Sequence, residues 1–257
     1  MGKVYLVGAG PGDPELLTVK AARLLSRANI VFHDSLVSRE VLQLVARGAE
    51  IIDVGKRCGK KLLTQEEINA LLASAAASHE IVIRLKGGDP LIFGRAGEEI
   101  EALRNAGVDF EIVPGITAAL GAAAAAGVPL TDRRAASQIV FATFSRDPEN
   151  TAMDWSSITS TTTLALYMPG PDYSEVARRL LDAGLSSDLP CVIVSSATTP
   201  QQQIRWSALA RLSHEEKLPA PALLIIGRVA AQRVQQITEK FWRAETQQYG
   251  KASQIVS

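Results

Sequence analysis

Short apolar runs alternate with amphipathic stretches along nearly the whole chain. In the first half, residues 3–7, 30–33, 50–54, 80–83 and 110–113 read as buried strands, each ending in glycine, proline or polar residues. Between them, residues 15–27 carry Leu16, Leu17, Val19, Ala22 and Leu25 at helical spacing. A further helix opens at Thr64, where Thr64 and Glu67 form a capping-box pattern, and runs to about Ala77. Residues 96–107 read as another helix, and 118–127 as an alanine-rich one whose small side chains allow close backbone packing. This alternation of strand and helix predicts a mainly parallel sheet. The second half repeats it, with strands at 138–143, 162–167, 191–195 and 222–226, a further candidate strand at 202–206, and helices at 173–183 and 207–212. Residues 147–161 are polar and irregular, and from about Lys240 the chain is polar enough to fray. No internal repeat is visible.

Composition narrows the classes. The 257 residues are 47% apolar and 21% charged, ordinary for a globular protein, and the formal net charge is zero. A global field that would draw the chain to nucleic acid or an anionic membrane is therefore missing. Cys58 and Cys191 are far apart, which argues against a disulfide scaffold and a zinc site. His33, His79 and His214 share no ligand-like spacing, so no metal is expected. No signal peptide and no apolar stretch of the ~20 residues a bilayer requires is seen, so the expectation is a cytoplasmic protein.

The candidate chemistry gathers at strand ends. The stretch from Arg84 to Arg95 follows a strand and precedes a helix, and its adjacent Gly87 and Gly88 let a ligand approach the backbone. Asp89 and Pro90 turn the chain there. The first strand runs into Gly8-Ala9-Gly10-Pro11-Gly12-Asp13-Pro14, which is not a dinucleotide fingerprint. Asp13 stands where the third glycine should be, Pro11 removes an amide, and an aspartate would repel a pyrophosphate. No phosphate-binding P-loop occurs either, so the turn suits a neutral or cationic ligand. Asp34 follows the second strand, and either a catalytic carboxylate or a turn-forming or capping aspartate fits that position. Lys56, Arg57, Lys60 and Lys61 form a basic, glycine-punctuated loop. Met168, between a strand and a Pro-Gly turn, either packs in the core or meets a cofactor.

Several of these pieces occur together in the order and spacing of one family. The segments 7–14 with Leu17-Thr18, 34–37, 54–57, 65–69, 84–94, 113–118 and Tyr167-Met168 resemble the tetrapyrrole methylases, over residues 3–229. The resemblance implies a two-domain α/β protein, each domain a mixed, mainly parallel sheet flanked by helices, with S-adenosylmethionine (SAM) in a cleft between them. The corresponding boundaries are 1–116 and 117–238, with a polar tail at 239–257. It also implies a homodimer, and methylation of uroporphyrinogen III at two ring carbons, giving precorrin-2 by way of precorrin-1 toward siroheme or cobalamin. A later precorrin as acceptor, or a SAM- or tetrapyrrole-binding protein without turnover, are the alternatives. By matching positions, SAM contacts fall on Pro11, Gly87, Gly88, Asp89, Ile92, Thr117, Ala118, Met168 and Ala197. The proton acceptor falls on Asp34 and the proton donor on Lys56.

The chemistry is consistent with that assignment. SAM has no phosphate, and its ribose hydroxyls and amino group need acceptors, some of which Asp89 can provide. The acceptor is a polycarboxylate, for which Arg57, Lys61, Arg84, Lys86, Arg95 and Arg133 are the candidate contacts. Where the family has histidine, this chain has Lys61 and Asp132, and Ala197 replaces a glycine. Phe144-Ser145 stands where Gly-His is common, and Pro169 follows Met168 where glycine is usual. These departures bear on the identity of the acceptor more than on the use of SAM.

Overall fold

The structure, a computed structural model, describes residues 2–55, 63–144, 153–170 and 172–231. It divides into two compact units, residues 1–122 with 196–202, and residues 123–195 with 203 onward.

The first unit is built on five strands, β1 (Lys3–Gly8), β2 (Ile30–His33), β3 (Glu50–Asp53), β4 (Ile81–Lys86) and β5 (Phe110–Val113). They form one sheet in the order β3-β2-β4-β1-β5, and every pairing is parallel. The connections carry α1 (Val19–Leu25), α2 (Arg39–Leu42), α3 (Gln65–Ser78) and α4 (Ala96–Asn105), and α5 (Ala118–Ala126) follows β5. Parallel strands need such crossovers, and helices on both faces make the strands apolar on both sides. One face packs Val4, Leu6, Phe32 and Val82 against Leu72 of α3 and Leu103 of α4. The other packs Val7, Val31, Ile83 and Leu85 with Leu25 and Val41. Strand alternation therefore places Arg84 and Lys86 on the face of Val82, among otherwise apolar neighbours.

Local signals set the helix starts. Thr64 accepts from the Glu67 amide while Glu67 accepts from the Thr64 amide, so the capping box opens α3 as its sequence predicts. The expected continuous helix over 15–27 is two pieces, a 3₁₀ turn at Pro14–Leu16 and then α1. Thr18 is the reason: its hydroxyl accepts from the Ala21 amide and starts a new helix, leaving Leu17 extended. The four-residue α2 is too short to show a periodicity.

The second unit holds β6 (Gln138–Thr143), β7 (Thr162–Tyr167), β8 (Pro190–Ser195), β9 (Gln203–Ala208) and β10 (Ala222–Ile226), in the order β6-β7-β10-β8-β9. Only β6 and β7 pair in parallel; β10 is antiparallel to both neighbours and β9 to β8. The core joins Leu164, Leu166, Ile193 and Leu224 to Val176, Ala177 and Leu180 of the amphipathic α6 (Ser174–Asp182). The helix expected at 207–212 begins later, as a 3₁₀ segment at Leu209–His214. Ser207 and Ala208 instead finish β9, paired with Cys191 and Pro190.

Candidate functional site

The C-terminal ends of β1, β4 and β5 meet through bare backbone. Gly10 and Gly88 exchange backbone hydrogen bonds, 3.1 Å from the Gly10 amide and 2.8 Å from the Gly88 amide. A methyl group on Gly115 would lie 2.3 Å from the Gly88 carbonyl oxygen, and one on Gly8 would lie 2.6 Å from Gly115 Cα. Only glycine fits at this junction, for reasons of space alone at Gly8 and Gly115. Gly88 has the additional constraint of φ +68. Asp89 locks the turn: its two oxygens accept from the amides of Leu91 (2.8 Å) and Gly115 (2.9 Å). Each oxygen keeps a second lone pair for a ligand.

The glycine-proline turn after β1 joins the same junction. A methyl on Gly121 would fall 2.6 Å from the Pro11 ring, so α5 comes to rest against Pro11 through that glycine. Residues 196–202 close over Gly12, where a methyl would meet Thr199 Cγ2 at 2.5 Å and the Ala197 carbonyl oxygen at 3.3 Å. The Asp13 amide donates to Thr198 Oγ1 (3.2 Å), and the Asp13 carboxylate caps the following 3₁₀ turn. Pro11, Gly87, Gly88, Asp89, Ile92, Thr117, Ala118 and Ala197 thus all belong to the first unit. Gly88 lies beside Thr117 and Ala118, 3.6 Å from the Ala118 nitrogen to a methyl built on it. The Ile92 amide donates to the Asp89 carbonyl.

Met168 belongs to the second unit and is 59% exposed, with φ +48. The core-packing alternative for it is thereby excluded. Phe93 (φ +53), Arg95 (φ +57), Ser196 (φ +47) and Thr198 (φ +64) also hold left-handed backbone without being glycine. Such conformations cost about 1–3 kcal/mol each and persist where the surroundings impose them, often at ligand sites.

A cavity of about 340 Å³ is lined among others by Asp34, Gly55, Gln65, Arg84, Lys86, Phe93 and Arg95. Its wall is ionic. Arg84 Nη2 pairs with Asp34 Oδ1, and Arg84 Nε donates to Glu99 Oε1 at 2.8 Å. Lys86 Nζ donates to both Glu99 oxygens at 2.9 Å. Arg84, Lys86 and Glu99 are buried, and Asp34 alone of the four keeps appreciable exposure, 29% of its side chain. Burial pushes the Lys86 ammonium below its ordinary value, Arg84 beside it adds to that, and Glu99 and Asp34 oppose it. Burial also opposes the charge of Arg84, but Asp34 and Glu99 together outweigh it and raise that group.

The other sequence candidates divide. Arg95 is exposed and held in a two-pronged pair with Glu98, both contacts 2.7 Å. Asp132 accepts the guanidinium and amide of Arg134, which holds its carboxyl well below the usual range, and Arg133 beside it is exposed. Lys56, Arg57 and Lys61 lie outside the described residues, as do Lys60 and Ser145. Sequence reading missed Glu99, since an acidic residue in the first turn of a helix reads as solvated. The signal for it was indirect: two cations at alternate positions of an apolar strand require a buried anion. Leu36, Leu91 and Phe93 are exposed on the loops after β2 and β4. Among the described residues no group of His, Cys, Asp and Glu is placed to hold a metal ion, and no helix is long and apolar enough to cross a membrane.

A family model described as Tetrapyrrole (Corrin/Porphyrin) Methylases matches residues 3–213. A uroporphyrinogen-III C-methyltransferase of Paracoccus denitrificans is 48% identical over 236 residues, covering 90% of this chain and 82% of that protein. A siroheme synthase of Klebsiella pneumoniae is 46% identical over 89% of this chain and 49% of its own length. The chain thus spans about half the length of the siroheme synthases it matches. The solved structure of uroporphyrin-III C-methyl transferase from Thermus thermophilus complexed with S-adenyl homocysteine superposes with a TM-score of 0.78 at 39% identity, covering 90% of this chain and 99% of that one.

Proposed function

Because this chain belongs to the tetrapyrrole methylases, we propose that it transfers methyl groups from SAM to two ring carbons of uroporphyrinogen III, giving precorrin-2 by way of precorrin-1. The observation that carries the reading is the Asp34 carboxylate, held by Arg84 at the wall of the cavity.

The residues suit SAM. Around Gly88 and Gly115 the neighbours are backbone atoms, Gly87 packs against the Leu36 side chain, Asp89 keeps acceptor capacity for hydroxyl or ammonium groups, and nothing there is built for phosphate. Pro11, Gly87, Gly88, Asp89, Ile92, Thr117, Ala118 and Ala197 would hold it, and Met168 is a further proposed contact. When bound, SAM supplies an electrophilic methyl group at its sulfonium.

The chain's own residues then place the acceptor and manage its proton. Leu36, Leu91 and Phe93 offer apolar surface for the flat parts of a tetrapyrrole. Arg133, Arg57 and Lys61 are the cations proposed for its carboxylates, Arg95 would join them by giving up its Glu98 partner, and Arg84 and Lys86, already neutralised by Glu99 and Asp34, form the ionic wall. Methylation at carbon leaves the macrocycle cationic until a proton departs. Asp34 accepts that proton, and Lys56 donates where one is needed. A homodimer in the cytoplasm, serving siroheme or cobalamin synthesis, completes the proposal.

Anaerobic incubation with labelled SAM and uroporphyrinogen III, with products identified by mass, tests the reading. Gain of two methyl groups is expected, and Asp34→Asn should bind SAM normally while losing about 100-fold or more in rate. SAM binding without methyl gain on this acceptor would move the reaction to a later precorrin, and absence of SAM binding would overturn the proposal.

A further inference from the structure

Glu99 is fully buried in the first turn of α4, and two cations converge on its carboxylate from alternate positions of β4. One anion shared by Arg84 and Lys86 leaves a positive charge over, and Asp34 balances it. The quartet is therefore neutral: Glu99 lies behind the cavity wall, Arg84 and Lys86 are buried in that wall, and Asp34 is the member with appreciable exposure.

The guanidinium of Arg84 is planar, so its nitrogens cannot be aimed independently. Nε is fixed by Glu99 at 2.8 Å, and Nη1 points to the carbonyl oxygens of Leu85 (3.3 Å) and Phe32 (3.5 Å). With those directions set the plane of the guanidinium is fixed, and Nη2 donates within it to the Asp34 carboxylate. Lys86 is drawn the other way, since both oxygens of Glu99 hold its ammonium. Were Glu99 neutral, Lys86 would compete with Arg84 for Asp34 and pull that carboxylate toward the sealed side.

We infer that Glu99 is a positioning residue for methyl transfer, acting through Arg84 to aim the Asp34 carboxylate into the cavity and keeping Lys86 off it. The inference rests on the proton-accepting role proposed for Asp34.

The test compares Glu99→Gln, Asp34→Asn and their combination in single-turnover methyl transfer from labelled SAM to uroporphyrinogen III. SAM affinity and the KM for the tetrapyrrole are measured alongside. Because Glu99→Gln leaves the sealed wall with surplus positive charge, Lys86→Met/Glu99→Gln, which removes one charge of each sign, is measured as a variant that keeps the interior neutral. Both variants lacking Glu99 should lose about 10–100-fold in rate, as expected when a partner that orients a reacting group is removed, with KM and SAM affinity within about twofold of wild type. In the Asp34→Asn background the Glu99→Gln substitution should cost nothing more. Wild-type rate in the Lys86→Met/Glu99→Gln variant, or losses that multiply in the combined variant, would overturn the inference while leaving the role of Asp34 intact. A wild-type rate for Asp34→Asn itself would overturn both.

Discussion

Gly115 is closely hemmed in by backbone. Its Cα hydrogen faces the Gly88 carbonyl, and its amide is held by Asp89. Gly115→Ala would drive a methyl to 2.3 Å of that oxygen and 2.9 Å of Gly8 Cα, all backbone atoms that cannot rotate away. The substitution should lower stability by about 1–3 kcal/mol, read as a shift in the urea midpoint. It should also weaken SAM binding measured by calorimetry, because Gly88 and Asp89 must move together with it. Normal SAM affinity in a destabilised Gly115→Ala protein would separate the junction from the cofactor site. At this scale the sequence was informative wherever a residue type is nearly obligatory. The paired glycines at a strand end lead one to expect a ligand against the backbone, and the structure shows the Gly10 backbone paired with Gly88 there. Charges were harder to read. Arg84 and Lys86 looked like contacts for an anionic substrate because only burial distinguishes a cation facing a ligand from one facing Glu99. Met168 left two readings open, and the exposure of its side chain with left-handed backbone removed one of them.

Elements were legible where their signals are local. The capping box at Thr64 and Glu67 fixed the start of α3, and the helix expected at 173–183 is found as α6. The start of α1 was misplaced because the apolar period continues through Leu16 and Leu17, whereas Thr18 interrupts the backbone. Likewise Ser207 and Ala208 follow their pairing with β8, a partner remote from their local sequence. Helix α6 also carries the clearest pH effect. Glu175 accepts from Arg178 and Arg179, three and four residues on, and these pairs hold its carboxyl down from 4.5 to about 2. A carboxyl depressed in the folded state stabilises fully above its unfolded value and loses that contribution as pH falls through the folded one. The window is therefore from about 4.5 down to about 2. Glu175→Gln should show a smaller fall in thermal midpoint across that range than wild type, and the difference should shrink in high salt, because the pairs are exposed. Parallel acid profiles for the two proteins would remove Glu175 from the account.

At the scale of the whole molecule, the described core residues of each unit form their own clusters. Leu6→Ala in the first and Leu180→Ala in the second should each cost about 2–5 kcal/mol. Their effects should add to within about 0.5 kcal/mol in the double variant, measured by chemical denaturation. Strong non-additivity would mean that the two cores are energetically coupled. The parallel sheet of the first unit was legible as strand-helix alternation, since each crossover helix is local to its strands. The antiparallel insertion of β10 between β7 and β8 was not, because its partners are set by contacts between distant segments. One connection has a consequence for synthesis. Residues 196–202 lie between β8 and β9 in the chain yet belong to the first unit, giving Asp13 its Thr198 partner and covering Gly12 with Thr199. A nascent chain reaching residue 122 still lacks that piece, and at ~5–20 residues per second it waits several seconds for it. The ribosome therefore hands over the glycine-proline turn open, and the final clasp on it is fitted only after most of the second unit's strands have been made.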